Sequence, residues 1–225
     1  MVPPRMPAAA FFDLDGTLLT VNSAGLWIRR ERRLGRLRRR DLARAAVLLG
    51  GYWLGVLDME RALSLGLASL RGLREDDVRA DTRAWWEADV RPHVAPGARA
   101  VLEAHRARGE RLVLLTSSSL YAAEMAQADF GLDAVLCQRY AVVDGRFTGE
   151  ALRPLCFGAG KVEVAEAWAR ANGVDLAASS FYTDSSTDVP MLARVGHAYA
   201  VSPDPRLRFV ARRRGWPTLD WRKGG

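Results

Sequence analysis

Four polar clusters carry residue types that can do chemistry together: Asp13-Leu14-Asp15-Gly16-Thr17, Thr116-Ser117-Ser118, Lys161, and Asp184 with Asp188. Asp13, Asp15 and Asp184 are carboxylates, and three such groups cannot be crowded together without a cation. Oxygen-only donors with room for water suit Mg²⁺. A carboxylate beside that ion can attack phosphorus and form an aspartyl-phosphate. A second carboxylate two residues on can protonate the leaving alcohol, then activate water against the intermediate. Thr116, with Ser117 beside it, and Lys161 supply hydroxyls and a cation for phosphoryl oxygens, where negative charge must be stabilised. Of 33 basic residues only Lys161 and Lys223 are lysines. A sequence this committed to arginine keeps a compact ammonium where a planar guanidinium would not fit.

These clusters need a scaffold that brings them to one place. Ala8 to Phe12 is a short apolar run ending at Asp13, the pattern of a buried parallel strand. From about residue 92 helix and strand alternate. Ala98–Arg108 predicts a helix, Arg111–Leu115 a strand, Ala122–Phe130 a helix and Ala134–Cys137 a strand. Tyr140–Phe147 predicts a hairpin turning at Asp144-Gly145. Lys161–Ala171 then predicts a helix, Ser180–Thr183 a strand, Val189–Arg194 a helix and His197–Val201 a strand. The alternation argues for an α/β fold with a doubly wound parallel sheet, whose ligands lie at the carboxyl ends of the strands. All four clusters fall at such ends. Between about 20 and 90 the texture is Arg, Leu, Ala and Trp at helical spacing without proline, predicting several helices. Met59–Leu70 and Asp76–Val90 are among them, with breaks near Gly50-Gly51 and Gly72. The expected organisation is a core of residues 1–18 and 92–225 with an all-helical cap, 19–91, inserted.

Phe11-Phe12-Asp13-Leu14-Asp15-Gly16-Thr17-Leu18 resembles the first motif of the haloacid dehalogenase superfamily. Thr116, Lys161 and Thr183-Asp184-Ser185-Ser186-Thr187-Asp188 resemble its second, third and fourth motifs, in order. The helical insert between the first two resembles the cap of the phosphoserine-phosphatase-like branch. The resemblance implies a Rossmann-like core, Asp13 as nucleophile and Asp15 as acid/base. It implies Mg²⁺ held by the Asp13 side chain, the Asp15 backbone carbonyl and Asp184. Thr116 and Lys161 would bind phosphate, and Asp188 would orient Lys161 or support the metal shell. An acid at position 15 resembles the phosphatases and phosphomutases, since the dehalogenases lack it and cation-pumping ATPases carry threonine there. Three departures bear on the substrate. Asn22 stands where phosphoserine phosphatases carry a glutamate that reads the substrate ammonium, Thr187 where they show asparagine, and Ser117-Ser118 where they show paired glycines. The expected substrate is a small phosphomonoester other than phosphoserine. The alternatives are a phosphotransferase or phosphomutase of the same fold, and a non-catalytic binder that uses an arginine patch.

The net charge of +7 is uneven. Arg29 to Arg44 holds nine arginines against Glu31 and Asp41, and Arg206 to Lys223 holds seven basic residues against Asp220, leaving the rest acidic. The first run suggests nucleic acid or an anionic membrane surface. The plainer expectation is the solvated outer face of the cap, with Trp27, Ile28, Leu34, Leu37 and Leu42 inward. Nucleic acid is not the expected partner, and membrane contact through the apolar stretch Ala45 to Leu57 is the minor alternative. That uncharged stretch falls short of the roughly 20 residues a spanning helix needs. The apolar start Ala8–Phe12 runs into Asp13 and Asp15 instead of a secretory cleavage site. Cys137 and Cys156 lie in no metal-ligand spacing and read as reduced thiols. A cytoplasmic monomer or homodimer is expected. Trp85 and Trp86 read as cap core or cap–core contact, and His93, His105 and His197 receive no role.

Overall fold

The computed structural model describes residues 7–36, 63–64 and 66–222. Its centre is a six-stranded, all-parallel sheet built from β1 (Ala9–Phe12), β2 (Arg111–Ser119), β3 (Ala134–Gln138), β6 (Ser180–Thr183), β7 (His197–Val201) and β8 (Thr218–Leu219), in the order β3-β2-β1-β6-β7-β8. A two-stranded antiparallel ribbon, β4 (Tyr140–Val143) and β5 (Arg146–Ala151), stands apart from it. The strand order reverses direction between β1 and β6, which makes the crevice above those two strand ends the switch point where an open α/β sheet binds its ligand.

β1 is buried throughout because both of its faces are covered. Ala10 and Phe12 pack on one side with α3 (Ala98–Ala107) and α4 (Leu120–Phe130), through Leu102, Ala122, Ala126 and Phe130. Ala9 and Phe11 face the other side, toward α5 (Ala159–Asn172), α6 (Val189–Leu192) and α7 (Pro205–Arg214). An apolar run with no alternation is what two-sided burial requires. The register Phe12↔Tyr182 aligns the ends of β1 and β6, so the residues that follow, Asp13 and Thr183-Asp184, emerge side by side.

The chain between β1 and α3 packs on the rest of the fold near both of its ends. Its first helix, α1 (Ser23–Arg33), contributes Leu26, and its return leg contributes Trp85, Trp86 and Val90, to the same apolar cluster as Phe12 and Leu14. Trp86 donates its indole N–H to Asp129 Oδ2 at 2.7 Å. Trp85 and Trp86 therefore pack against residues of β1 and of the helices that cover the sheet. The segment leading into α2 (Glu75–Trp85) lies along the β4–β5 ribbon, with Gly72 N–H on Phe147 O, Phe147 N–H on Leu73 O and Glu75 N–H on Gly145 O.

Several expectations need correction. The helix expected over Asp76–Val90 changes character partway: α2 runs to Trp85 and passes without a break into wider helical turns over Trp86–Val90. Ile28 and Leu34 are exposed, Ile28 because it lies off the inward stripe of α1 that runs through Ser23 and Leu26, and Leu34 because it lies past the end of that helix. Leu37, Leu42, Gly50-Gly51 and Ala45 to Leu57 lie outside the described residues; of the helix expected over Met59–Leu70, the described residues 63–64 and 66–67 are helical and Ala68–Leu70 forms a closing 3₁₀ turn. The arginines of α1 do not form a bare basic face. Arg30 pairs with Asp81 and Arg33 with Asp89, and Arg36 just beyond pairs with Glu31 and Asp81. Among the described residues, no helix is long and apolar enough to cross a membrane.

Candidate active site

Asp13 leaves β1 with its N–H still bonded to Tyr182 O at 2.9 Å, so its side chain is fixed at the mouth of the sheet by one more rung of strand pairing. The chain then turns sharply. Gly16 has φ +72, a backbone conformation that a side chain disfavours, and its N–H closes the loop on Val21 O at 3.2 Å. The bare Cα of Gly16 also admits Asp184, whose Oδ2 would lie 2.1 Å from an ideal Cβ there.

Lys161 sits in the first turn of α5, placed by the approach of the Leu155 carbonyl, which leaves no room for a side chain on Gly160. Its Nζ donates to Asp13 Oδ1 at 3.0 Å and to Asp188 Oδ2 at 2.8 Å, and all three side chains are almost wholly buried. Thr183 donates its hydroxyl to the same Asp188 oxygen at 2.7 Å and accepts the Ser185 N–H at 3.2 Å. Burial works to strip the Lys161 ammonium of its proton; the carboxylates of Asp13 and Asp188 more than reverse this and hold it above the ordinary lysine range.

The remaining carboxylates press on one another. Burial pushes Asp13 up to about 7, with Lys161 opposing and Asp188 and Asp15 adding to the shift. Burial, then the charges of Asp13, Asp188 and Asp15, pushes Asp184 up to about 8. Asp15 is also raised by burial, and Ser23 and Ser118 hydrogen bonds oppose the rise. Asp188 Oδ1 is buried without a hydrogen-bond partner. A cluster of carboxylates whose charged forms are disfavoured by burial and by one another, with one carboxylate oxygen left over, has the donor chemistry of a hard-cation site. Among the described residues, no three His, Cys, Asp or Glu side chains are grouped tightly enough to enclose a metal by themselves. The Asp15 carboxylate is turned to Ser23, with Oδ1 on the backbone N–H at 2.9 Å and Oδ2 on the hydroxyl at 3.0 Å.

Thr116 is buried within β2, and its hydroxyl oxygen accepts the Ser118 N–H at 3.1 Å, which leaves the hydroxyl proton to donate elsewhere. Ser117 is exposed, and it is Ser118 that reaches Asp15. Asp188 precedes α6 without capping it, because its carboxylate is taken by Lys161 and Thr183. Asn22, at the position where a glutamate would read an ammonium, is exposed and caps α1 by accepting the Gly25 N–H.

Sequence reasoning did not single out Ser23 or Asp204, and it named Ser118 without tying it to Asp15. Asp204 ties the site's last loop to α7: its N–H donates to Asp184 O at 2.8 Å, and its carboxylate accepts from Ser186 N–H and Leu207 N–H. The signal was available, since Asp204 followed by Pro205 is a helix N-cap with proline at the first position.

The haloacid dehalogenase-like hydrolase family matches residues 10–193, which includes every residue of the Asp13–Lys161–Asp188 cluster. A phosphoserine phosphatase of Mycobacterium tuberculosis is 30% identical over 98% of this chain and 73% of its own length. A histidinol-phosphatase of Neisseria meningitidis is 27% identical over 96% of this chain and 100% of its own. Among solved structures, a Bordetella pertussis protein of unknown function superposes with a TM-score of 0.89 at 30% identity, covering 96% of this chain and 100% of that one. The chain belongs to the haloacid dehalogenase-like hydrolase family, in its phosphoserine-phosphatase-like branch.

Proposed function

We propose that this chain is a phosphomonoester hydrolase that carries the phosphoryl group on Asp13. The observation that supports the reading most directly is the buried Lys161 ammonium held between Asp13 and Asp188, with Asp15 two residues beyond, at the switch point of a parallel sheet. An Asp13 carboxylate oxygen attacks phosphorus; the new P–O bond forms as the bond to the leaving oxygen breaks, and Asp15 gives that oxygen its proton. Water then attacks the phosphorus, Asp15 takes the proton, and inorganic phosphate leaves with Asp13 restored. Lys161, with its two salt-bridge partners fixing its direction, and Thr116, with its hydroxyl proton free, face the phosphoryl oxygens. Ser117 stands beside them at the mouth.

The donor set fits Mg²⁺, which the Asp13 and Asp184 carboxylates and the Asp15 carbonyl would hold. Bound there, it would neutralise phosphoryl charge that the carboxylates alone would repel. Residues 19–91 are read as a cap over a core of 1–18 and 92–225, excluding water as phosphate moves to Asp13 and readmitting it afterwards. The substrate is read as a small phosphorylated metabolite other than phosphoserine, since Asn22 is neutral, exposed and spent on capping α1. Buried free thiols at Cys137 and Cys156 accord with a reducing, cytoplasmic setting.

The test is phosphate release from p-nitrophenyl phosphate and a panel of metabolite phosphomonoesters, with Mg²⁺ and with chelator, for wild type and Asp13→Asn. Metal-dependent release that disappears in Asp13→Asn is expected. Release that survives in Asp13→Asn, or none from any substrate by folded protein with Mg²⁺, would overturn the reading.

A further inference from the structure

Asp15 carries the proton in the reaction proposed above, yet both of its oxygens are held by a residue outside the family's motifs. The Ser23 N–H and hydroxyl occupy Oδ1 and Oδ2 respectively, and Ser23 is 4% exposed. Ser23 is the first residue of α1, and the capping of that helix is done by Asn22. The Ser23 hydroxyl is therefore not spent on its own helix, and its N–H is one of the first-turn donors that have no partner within a helix. Two donors from one residue fix the plane of a carboxyl group in a way that a single hydrogen bond does not. They also set Asp15 at the positive end of α1.

We propose that Ser23 is the positioning residue of the acid/base: it holds the Asp15 carboxyl in the orientation from which the proton passes to the leaving oxygen, and it ties that orientation to the first helix of the insert. The proposal rests on the reading of Asp15 as general acid. It has a consequence that mere packing would not have. Proton donation matters most when the leaving oxygen is an alkoxide and least when it is a stable phenolate such as p-nitrophenolate. A loosened Asp15 must therefore penalise alkyl phosphates selectively. The effect belongs to kcat/KM, which includes only the steps through departure of the alcohol and excludes hydrolysis of the intermediate.

The experiment compares kcat/KM for p-nitrophenyl phosphate and for the best alkyl phosphate of the panel, in wild type, Ser23→Ala, Ser23→Thr, Ser23→Pro and Asp15→Asn. Positioned general acids contribute about 10²–10⁴-fold, so Ser23→Ala is expected to lower the alkyl value about tenfold or more and the nitrophenyl value by no more than about twofold. Ser23→Thr restores the alkyl value. Ser23→Pro, which the first helical position tolerates, removes both donors and deepens the bias. Thermal unfolding of each variant verifies that it is folded. An equal fall on both substrates in Ser23→Ala, no change, or a rise on the alkyl phosphate overturns the proposal. If Asp15→Asn shows the leaving-group bias and Ser23→Ala does not, the role of Ser23 alone is overturned; if Asp15→Asn shows none, the acid role of Asp15 falls and the proposal with it.

Discussion

Gly16 and Asp184 share one space: a Cβ on residue 16 would lie 2.1 Å from Asp184 Oδ2. The motif's glycine is thus required twice, by its φ of +72 and by the carboxylate that lies against it. Gly16→Ala is expected to cost about 1–3 kcal/mol through backbone conformation alone. It also drives Asp184 off its position, and an error of about 1 Å in a catalytic group costs on the order of 10²-fold in rate. Urea unfolding and phosphate release together check this; a Gly16→Ala protein with wild-type turnover would contradict it.

Lys161 is the countercharge of the site. Lys161→Met leaves Asp13 and Asp188 buried without their cation, and breaking such a pair costs about 3–5 kcal/mol. Adding Asp188→Asn removes one of the stranded charges, so the double variant is expected to be more stable than Lys161→Met alone. Lys161→Arg is not expected to restore activity, because the larger planar group cannot occupy a position where the side chain is 3% exposed. Chemical denaturation of the three variants gives the comparison.

A chain of hydrogen bonds runs from buried Tyr182 through His105 to the surface. His105 Nε2 meets Tyr182 Oη at 2.8 Å and Nδ1 meets Glu110 Oε2 at 2.6 Å, while Arg108 Nε donates to Glu110 Oε1. Burial holds His105 below its ordinary value of 6.5, against the pull of Glu110. Burial works against the Glu110 carboxylate too, but hydrogen bonds from Arg108 and His105 outweigh it and hold Glu110 below 4.5. Both shifts have the same sign. The unfolded chain takes up the His105 proton below about pH 6.5 before the folded one does, and the Glu110 contribution is present above its unfolded value and lost as pH falls through the folded one. The His105 contribution to stability should therefore fall between about pH 8 and about pH 5.5, so lowering the pH across that range should cost wild type more than His105→Gln, while the raised carboxylates of Asp13 and Asp184 act with the opposite sign in both proteins. Urea midpoints of both proteins at the two pH values test this, and a midpoint difference that does not shift against wild type at the lower pH would contradict it.

Trp86 ties the turn after α2 to α4, with its ring fully buried and its N–H on Asp129, which Arg91 also engages. Trp86→Phe keeps most of the apolar contact and is expected to cost about 1–3 kcal/mol for the lost hydrogen bond. Trp86→Ala should cost about 3–5 kcal/mol for the cavity. Equal losses in the two variants, read by thermal unfolding, would mean that the ring does not pack as described.

Much of this site is legible in the sequence because its chemistry falls at strand ends, where apolar runs stop. Phe11-Phe12 before Asp13 and Phe181-Tyr182 before Thr183-Asp184 mark two neighbouring strands, and their pairing brings the carboxylates together. The sequence is silent where polar residues are strand or where contact is long-range. β2 runs through Thr116 to Ser119 because Ser119 still pairs with Gln138 after a register shift, although a Thr-Ser-Ser-Ser stretch reads as loop. Ser118 at Asp15 is hidden for the same reason. Ser23 looks like any residue near a helix start, and its hold on Asp15 depends on how the loop through Gly16 folds back. The pairing of Arg30, Arg33 and Arg36 with Asp81, Asp89 and Glu31 depends largely on residues about fifty positions away, which local charge counting does not reach.

The most direct test of the account is to trap the phosphorylated protein. Wild type with Mg²⁺ and its best substrate, quenched within a turnover and treated with borohydride, should carry homoserine at position 13, the reduction product of an aspartyl-phosphate, when its peptides are read by mass spectrometry. Asp13→Asn should carry none. Turnover by wild type without modification at position 13, or with modification at another residue, would contradict the account.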